Sequence, residues 1–399
     1  MLCTRANVKE TTIVKRLIFD EDHEMFRDSV RRFMQSEVGP HVEQWRREGC
    51  CDPAVFRKAG EQGLLCVWAD EKYGGLGIED FRFEQVIIEE TIRHGDIGLF
   101  MSLHSRLVGP YIGRLGSDQL KARLLPKCVS GETILGIAMT EPNAGSDLAG
   151  IKSRAVRDGD DWILNGSKTF ISNGILGGAF VVAARTVPDK KHGIGLFVVE
   201  SDMQGFSRGR NLAKMGLKTQ DTAELFFENV RVPAENVLGD PEKGFYSLMH
   251  HLAEERLISA CQEVAHGQVA FDLTMDYILE RKAFGKPIGA FQNSRFKMAD
   301  MRTSLDVLQT FIDQCVLLHN EGELSAELAA EAKLFASELE SRVMDECVQL
   351  HGGSGYMSEY RISHMFTDAR VSRIYAGSSE IMKEIIARSI GLDERKLSS

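Results

Sequence analysis

Apolar positions in the first third of the chain recur with a helical period. Phe26, Val30, Phe33 and Met34 fall at i, i+4, i+7 and i+8 within a charged segment, which makes one apolar stripe on a helix. Pro40 and Gly74-Gly75-Leu76-Gly77 punctuate this region. A second helical pattern runs through 83–93, and Ser117-Asp118-Gln119 reads as a helix start before Leu120, Leu124 and Leu125. Near residue 136 the period changes. Residues 162–165 and 168–172 flank Gly166-Ser167, a hairpin-like signal. Segments 180–185, 194–200 and 223–232 are β-rich, and Glu224-Leu225-Phe226-Phe227-Glu228 alternates as a half-buried strand does. No helix-length pattern interrupts 150–235, so an antiparallel sheet or barrel is expected rather than a doubly wound one. After Pro241 helical periodicity returns over 273–281, 293–320, 325–351 and 378–390, with Pro287 the one later proline. Long helices with short breaks predict an antiparallel bundle. The expected domains are 1–135, helical; 136–241, β; and 242–399, a helical bundle. No internal repeat or low-complexity segment is visible.

Length and composition narrow the classes. A chain of 399 residues holds two or three domains at ~150 residues each and needs no disulfide or metal staple. Its longest apolar runs, 64–69 and 179–184, fall far short of the ~18 residues of a membrane span. A net charge of −10 argues against nucleic acid as the main partner. Eight cysteines are scattered without a CxxC pair. That pattern reads as reduced thiols with no zinc site, and no metal is expected. Residues 1–17 are Thr-rich and basic (Arg5, Lys9, Lys15, Arg16), but too short to read as a transit peptide.

Five segments carry candidate chemistry, each with a plainer alternative. Thr140-Glu141-Pro142-Asn143-Ala144-Gly145-Ser146-Asp147 offers hydroxyls and free amides to a flat polar ring or phosphate, or is a surface turn. Alternation puts Phe170 and Ser172 on one side of a strand, able to meet a ring's face and edge; the alternative is a core Phe and a turn. Arg281-Lys282-Ala283-Phe284-Gly285-Lys286 could fork onto a pyrophosphate or be a solvated loop. Gln349-Leu350-His351-Gly352-Gly353-Ser354-Gly355 ends a helix with more glycines than a cap needs. In Glu254-Glu255-Arg256, Glu255 shares a stripe with Leu248, Leu252 and Ser259, while Glu254 is rotated ~100° away. A carboxylate on a buried face has the raised pKa of a general base; a Glu255–Arg salt bridge is the alternative.

Taken in order, these motifs, together with Ala138-Met139 and Arg373-Ile374-Tyr375-Ala376-Gly377-Ser378-Ser379-Glu380, resemble the acyl-CoA dehydrogenase family over residues 18–399. The resemblance implies an α-helical N-terminal domain, a middle antiparallel β-barrel-like domain and a C-terminal four-helix bundle. It also implies bound FAD, an acyl-CoA substrate, a homotetramer and an electron-transfer flavoprotein as acceptor. Carried over by position, Ile137, Ala138, Met139, Thr140 and Ser146 line the flavin. Phe170 covers it, beside Ile171, and Ser172 bonds near its reactive nitrogen. Arg281, Phe284 and Gln292 bind FAD across a subunit interface. Gln349, Leu350, His351, Gly352 and Gly353 meet a neighbour's dinucleotide, and Ser378, Ser379 and Glu380 complete the site. Ser146, Lys191, His192, Tyr246, Ala253, Glu254, Arg256, Ala376 and Gly377 match substrate contacts.

One departure carries weight. Many members place their catalytic Glu where this chain has Ala376, which cannot take a proton. The long-chain and isovaleryl branches keep the base on the helix after the β-domain, at Glu255 here. The flanking Glu-Arg-Leu, Met139-Thr140 and Glu380-Ile381-Met382-Lys383-Glu384 are most similar to the long-chain branch. Asn143 and Ser378 stand where glycine and threonine are frequent. The expected reaction converts an acyl-CoA to its trans-2-enoyl-CoA in fatty acid β-oxidation. The expected location is the cytoplasm in a bacterium or the mitochondrial matrix in a eukaryote. The rivals are an isovaleryl-type dehydrogenase, an acyl-CoA oxidase, and a catalytically idle flavin- or CoA-binding scaffold.

Overall fold

The computed structural model describes residues 14–397, so Arg5 and Lys9 lie outside the described residues. Of the basic N-terminal residues, Arg16 is an anchor: its guanidinium bonds Glu89 at 2.6 Å and Asp313 at 2.6 Å. Helix α1 (Glu21–Phe33) starts where the Asp20 carboxylate accepts from the Asp22 and His23 amides, and it buries Val30 and Phe33. Helices α2 (Val42–Glu48), α3 (Ala54–Glu61), α4 (Phe81–His94), α5 (Gly109–Leu115) and α6 (Asp118–Val129) follow. Ser117 caps α6 through the Leu120 amide, as its sequence predicts. Between α4 and α5 the segment Leu103–Val108 winds as a π-helix and carries Arg106.

The middle strands are β1 (Leu135–Ala138), β2 (Arg154–Asp158), β3 (Asp161–Ser172), β4 (Ala179–Arg185), β5 (Ile194–Glu200), β6 (Phe206–Arg208), β7 (Thr222–Val232) and β8 (Val237–Leu238). They lie in the order β6-β7-β3-β2-β4-β5-β8, with β1 added on β4. Most ladders are antiparallel; β1–β4 and a single β2–β4 pair are parallel. Local alternation carries no record of which distant strand a strand will meet. The hairpin expected at Gly166-Ser167 is not there. β3 runs straight through, and the register against β7 slips between Leu164 and Gly166, a β-bulge. Gly166 stands at φ 148, and a Cβ would come within 2.3 Å of Ser153 Oγ. The turn lies earlier, at Gly159-Asp160, between the paired Asp158 and Asp161.

Helix α7 (Gly244–Glu280) opens the C-terminal region and is followed by a small hairpin, β9 (Lys282–Ala283) and β10 (Lys286–Pro287). Then come α8 (Gln292–Asn320), α9 (Ala326–His351), α10 (Arg361–Ala369), α11 (Ser379–Ser389) and α12 (Glu394–Leu397). Leu257, Val264, Leu305, Ile312, Ala336 and Val343 form the bundle's core with Ile88 and Ile92 of α4. Helix α7 therefore has neighbours on several sides, and its middle is buried nearly all round. Among the described residues no helix is long and apolar enough to cross a membrane, and the seven described cysteines are free thiols.

Candidate active site

Two of the candidate motifs are joined through the backbone. The Thr169 amide donates to the Thr140 carbonyl at 2.9 Å. Beneath them, buried Lys168 donates to Met139 O at 3.0 Å and to Glu141 Oε1 at 2.9 Å. Glu141 also accepts from the Lys152 and Ser153 amides. Burial pulls the Lys168 pKa down to about 8, against the opposing pull of Glu141. This pair fixes the turn that follows β1. A second bulge, between Lys168 and Ile171, swings Phe170 outward at φ 59 and leaves it 69% exposed. Phe170 and Ser172 lie on the less buried side with Ile171 buried between them, as the alternation predicts, and the bulge falls where Lys168 and Thr169 are both buried. Ser172 Oγ donates to Gln220 Oε1 at 3.3 Å, while Gln220 Nε2 is buried without a partner. An outward aromatic, two hydroxyls (Thr140, Ser172), an unpaired amide donor and open space above Gly145 fit a flat heterocycle with polar edges. Gln220 was not singled out by sequence; the polar run Lys218-Thr219-Gln220-Asp221-Thr222 before β7 was its one signal.

The adjacent carboxylates of α7 have opposite environments. Glu254, expected on the rotated face, is buried: Arg106 Nε donates to its Oε1 at 2.5 Å, and Arg114 Nη1 approaches Oε2 at 3.4 Å. Burial alone would raise its pKa, but the His319 hydrogen bond and the two guanidinium groups bring it down to about 2. Glu255 is partly buried. Burial lifts its carboxyl to about 7, with Arg256 and Lys333 pulling the other way. Glu254 is thus the more enclosed of the two, the reverse of what their helical positions predict, because α7 is packed on more than one face. Both glutamates line a small pocket with Arg106, Leu107, Tyr111 and His251. Arg106 and Tyr111 escaped the sequence reading because they come from a distant segment. Arg256 is buried and donates to the Ala326 carbonyl at 3.3 Å. Ala253, beside this group on α7, is partly buried.

A third group gathers at the start of α7. His192 stacks on Phe245 at 4.3 Å and meets the edge of Tyr246 at 6.0 Å, with Lys191 exposed beside it. At the far end of α7, Tyr277 Oη donates to the His351 carbonyl at 3.2 Å, which ties Gln349–Gly353 to the helical turn before Arg281. Arg281, at the end of the predicted helical pattern, leads into the β9–β10 hairpin, whose tip is Phe284-Gly285 at φ 51 and 79. Phe284 is 96% exposed, Gln292 is exposed, and Gly352 and Gly353 have open space where a Cβ would stand.

Several candidates present main chain rather than side chain. Ala138 and Ile171 point into the sheet core. His351 is buried, with Nδ1 2.8 Å from Cys347 O and its ring on Tyr277. Ser379 Oγ is taken by Glu338 at 2.8 Å. Ile137, Met139, Leu350, Ala376, Gly377 and Ser378 are partly buried, and Ser146 and Glu380 are exposed.

Fold and site together define an oxidoreductase acting on a CH–CH donor with a flavin. The chain belongs to the acyl-CoA dehydrogenase family: models of its N-terminal domain match residues 20–132, of its middle domain 136–230, and of its C-terminal domain 242–391. The chain is 46% identical over 389 residues to the long-chain specific acyl-CoA dehydrogenase of Sus scrofa, covering 97% of this chain and 90% of that protein. It is 36% identical over 382 residues to the isovaleryl-CoA dehydrogenase of Oryza sativa, covering 95% and 93%. The crystal structure of an acyl-CoA dehydrogenase from Geobacillus kaustophilus superposes with a TM-score of 0.93 at 46% identity, covering 95% of this chain and all of that one. FAD is the cofactor.

Proposed function

We propose that the protein dehydrogenates long-chain acyl-CoA thioesters to trans-2-enoyl-CoA within fatty acid β-oxidation, with Glu255 as the base. The observation that carries this reading is the pair of adjacent carboxylates. Glu254 is locked as an anion by Arg106, whereas Glu255 has a proton affinity near neutrality, where a general base works best. Ala376 leaves the other family position without a carboxylate. Higher identity to the long-chain relative than to the isovaleryl one supports the chain length.

In this reading Met139, Thr140, Phe170, Ser172 and the unpaired Gln220 amide hold the flavin ring. Arg281, Phe284, Gln292 and Gln349–Gly353 serve the cofactor of a neighbouring subunit in a homotetramer. His192, Tyr246 and Lys191 receive the CoA moiety. Bound FAD supplies hydride acceptance at the substrate's β-carbon. The Glu255 carboxylate takes the α-proton that the thioester acidifies and holds it on its own oxygen. Glu255 is partly buried, and keeping water from its carboxyl strengthens the charge interactions around it. An electron-transfer flavoprotein is the proposed acceptor. The compartment is the bacterial cytoplasm or, in a eukaryote, the mitochondrial matrix.

The test is anaerobic flavin bleaching and kcat/KM across butyryl-, octanoyl-, palmitoyl- and isovaleryl-CoA, with electron-transfer flavoprotein and with oxygen as acceptors. A palmitoyl-CoA maximum with slow oxygen turnover is expected. A peak at isovaleryl-CoA moves the chain to the branched-chain reading, fast oxygen turnover makes it an oxidase, and no bleaching makes it an idle scaffold.

A further inference from the structure

Lys333 lies about two turns into α9 and is wholly buried. Its ammonium donates to two main-chain carbonyls, Ser372 at 2.5 Å and Gly377 at 2.9 Å. Those carbonyls bracket the turn between α10 and α11, so one cation ties both ends of it. The turn contains two consecutive left-handed residues, Ala376 at φ 51 and Gly377 at φ 91. Glycine suits its position twice over, since a Cβ there would come within 2.5 Å of Met382 Cε. Ala376 has a Cβ, and the left-handed region disfavours it. A strained residue persists where its surroundings over-determine it.

The same cation faces the helix of the base. Lys333 weighs on the proton affinity of Glu255. Tyr375, next to Ala376, packs against the bundle core to which α7 contributes Leu257 and Ile258, in the turn beyond Glu255. Around the ammonium stand two buried carboxyls. Glu263 accepts from Ser259 Oγ at 2.9 Å, and Glu340 Oε1 lies 2.6 Å from His266 Nδ1. Each keeps its second oxygen buried without a partner. Burial raises both carboxyls and lowers Lys333.

We infer that Lys333 is a positioning residue: it holds the Ala376-Gly377 turn in its left-handed conformation opposite the Glu255 helix and so shapes the wall against which the substrate is placed. The substrate's identity rests on the function proposed above; the clamp does not. The experiment is hydrogen exchange of residues 372–379 in the FAD-loaded enzyme, alongside KM and kcat. Lys333→Met speeds exchange in this segment by at least about tenfold, the loss expected for charge-assisted hydrogen bonds, and raises KM more than it lowers kcat. Ala376→Gly, which removes the left-handed penalty, restores part of both in the Lys333→Met background, whereas Glu263→Gln, which only eases the charge imbalance, does not. Lys333→Arg stays close to wild type in exchange. Ala376→Val loads the turn while leaving Lys333 in place, so it speeds exchange too and serves if Lys333→Met does not fold. Unchanged exchange in Lys333→Met or Ala376→Val, or rescue by Glu263→Gln in place of Ala376→Gly, overturns the inference. If no acyl-CoA bleaches the wild-type flavin, the proposed function fails, and the exchange result still decides the clamp.

Discussion

Arg106 Nε and Glu254 Oε1 are 2.5 Å apart, and both side chains are buried. That bond divides the labour of two carboxylates one residue apart on α7. The guanidinium stabilises the anion of Glu254, so its proton is lost far below neutrality and it does not serve as a base. Among the described residues no guanidinium donates to Glu255 in this way. Arg256 and Lys333 only partly offset the effect of burial.

Removing Arg106 exposes the strength of this arrangement. Arg106→Met leaves Glu254 buried with only the 3.4 Å approach of Arg114 and the 3.6 Å approach of His319. Breaking one side of a buried pair destabilises by about 3–5 kcal/mol. A clear drop in the midpoint of thermal unfolding is expected. The double variant Arg106→Met/Glu254→Leu, which removes both charges, recovers most of it. An unchanged midpoint in the single variant would show that the pair contributes nothing net.

The pH dependence follows from Glu255. Its folded pKa, about 7, is above the ordinary 4.5, so kcat/KM of the free enzyme rises with pH and levels above about 7. Stability runs the other way. Between the ordinary value and the raised one the folded state binds the proton more tightly, so this group's contribution falls as pH rises through that window. Arg256 and Lys333 lower it against burial, and the titratable groups that share its pocket are Arg106, Tyr111, His251 and Glu254. Glu255→Gln flattens the corresponding part of the stability–pH curve. A curve of unchanged shape in the variant would assign the titration elsewhere.

In the proposed homotetramer the hairpin tip is where assembly and cofactor binding meet. Phe284 is 96% exposed at the end of a two-residue turn, and an aromatic ring in that setting gains most by burial against a partner. On the proposed homotetramer, Phe284→Ser is expected to shift the assembly to smaller species in light scattering and to release FAD on dilution. Full assembly with FAD retained would remove this residue from the interface.

Much of the architecture is legible in local pattern. The stripe of Val30, Phe33 and Met34 is buried, and Ser117 caps its helix, because period and capping are properties of neighbouring residues. What local pattern misses is set by distant partners. Gly166 marks a bulge rather than a turn because Ser153 of another segment packs against it. Phe170 takes a left-handed backbone for a similar reason, a register slip against β7. Glu254 and Glu255 cannot be ranked by a helical wheel when the helix is covered on several sides and a guanidinium arrives from residue 106. Lys333 has no sequence signal at all; its two acceptors are carbonyls, which any residue could supply.

The base assignment has the sharpest test. Glu255→Gln keeps shape and most hydrogen bonding but cannot take a proton, so anaerobic flavin reduction in rapid mixing slows by ~10²–10⁴-fold. Acyl-CoA binding is expected to persist, because the proposed contacts to chain and CoA lie on other groups. Adding Ala376→Glu then supplies a carboxylate at the alternative family position and is expected to restore part of the rate. The restoration is limited by strain: Ala376 sits at φ 51, where a longer side chain gains nothing in backbone comfort. The restored activity carries the pKa of the new carboxylate, so its pH profile differs from the wild-type limb near 7. Near wild-type reduction by Glu255→Gln alone would move the role to another group, with Glu380 the next to replace, since Glu254 is held as an anion by Arg106.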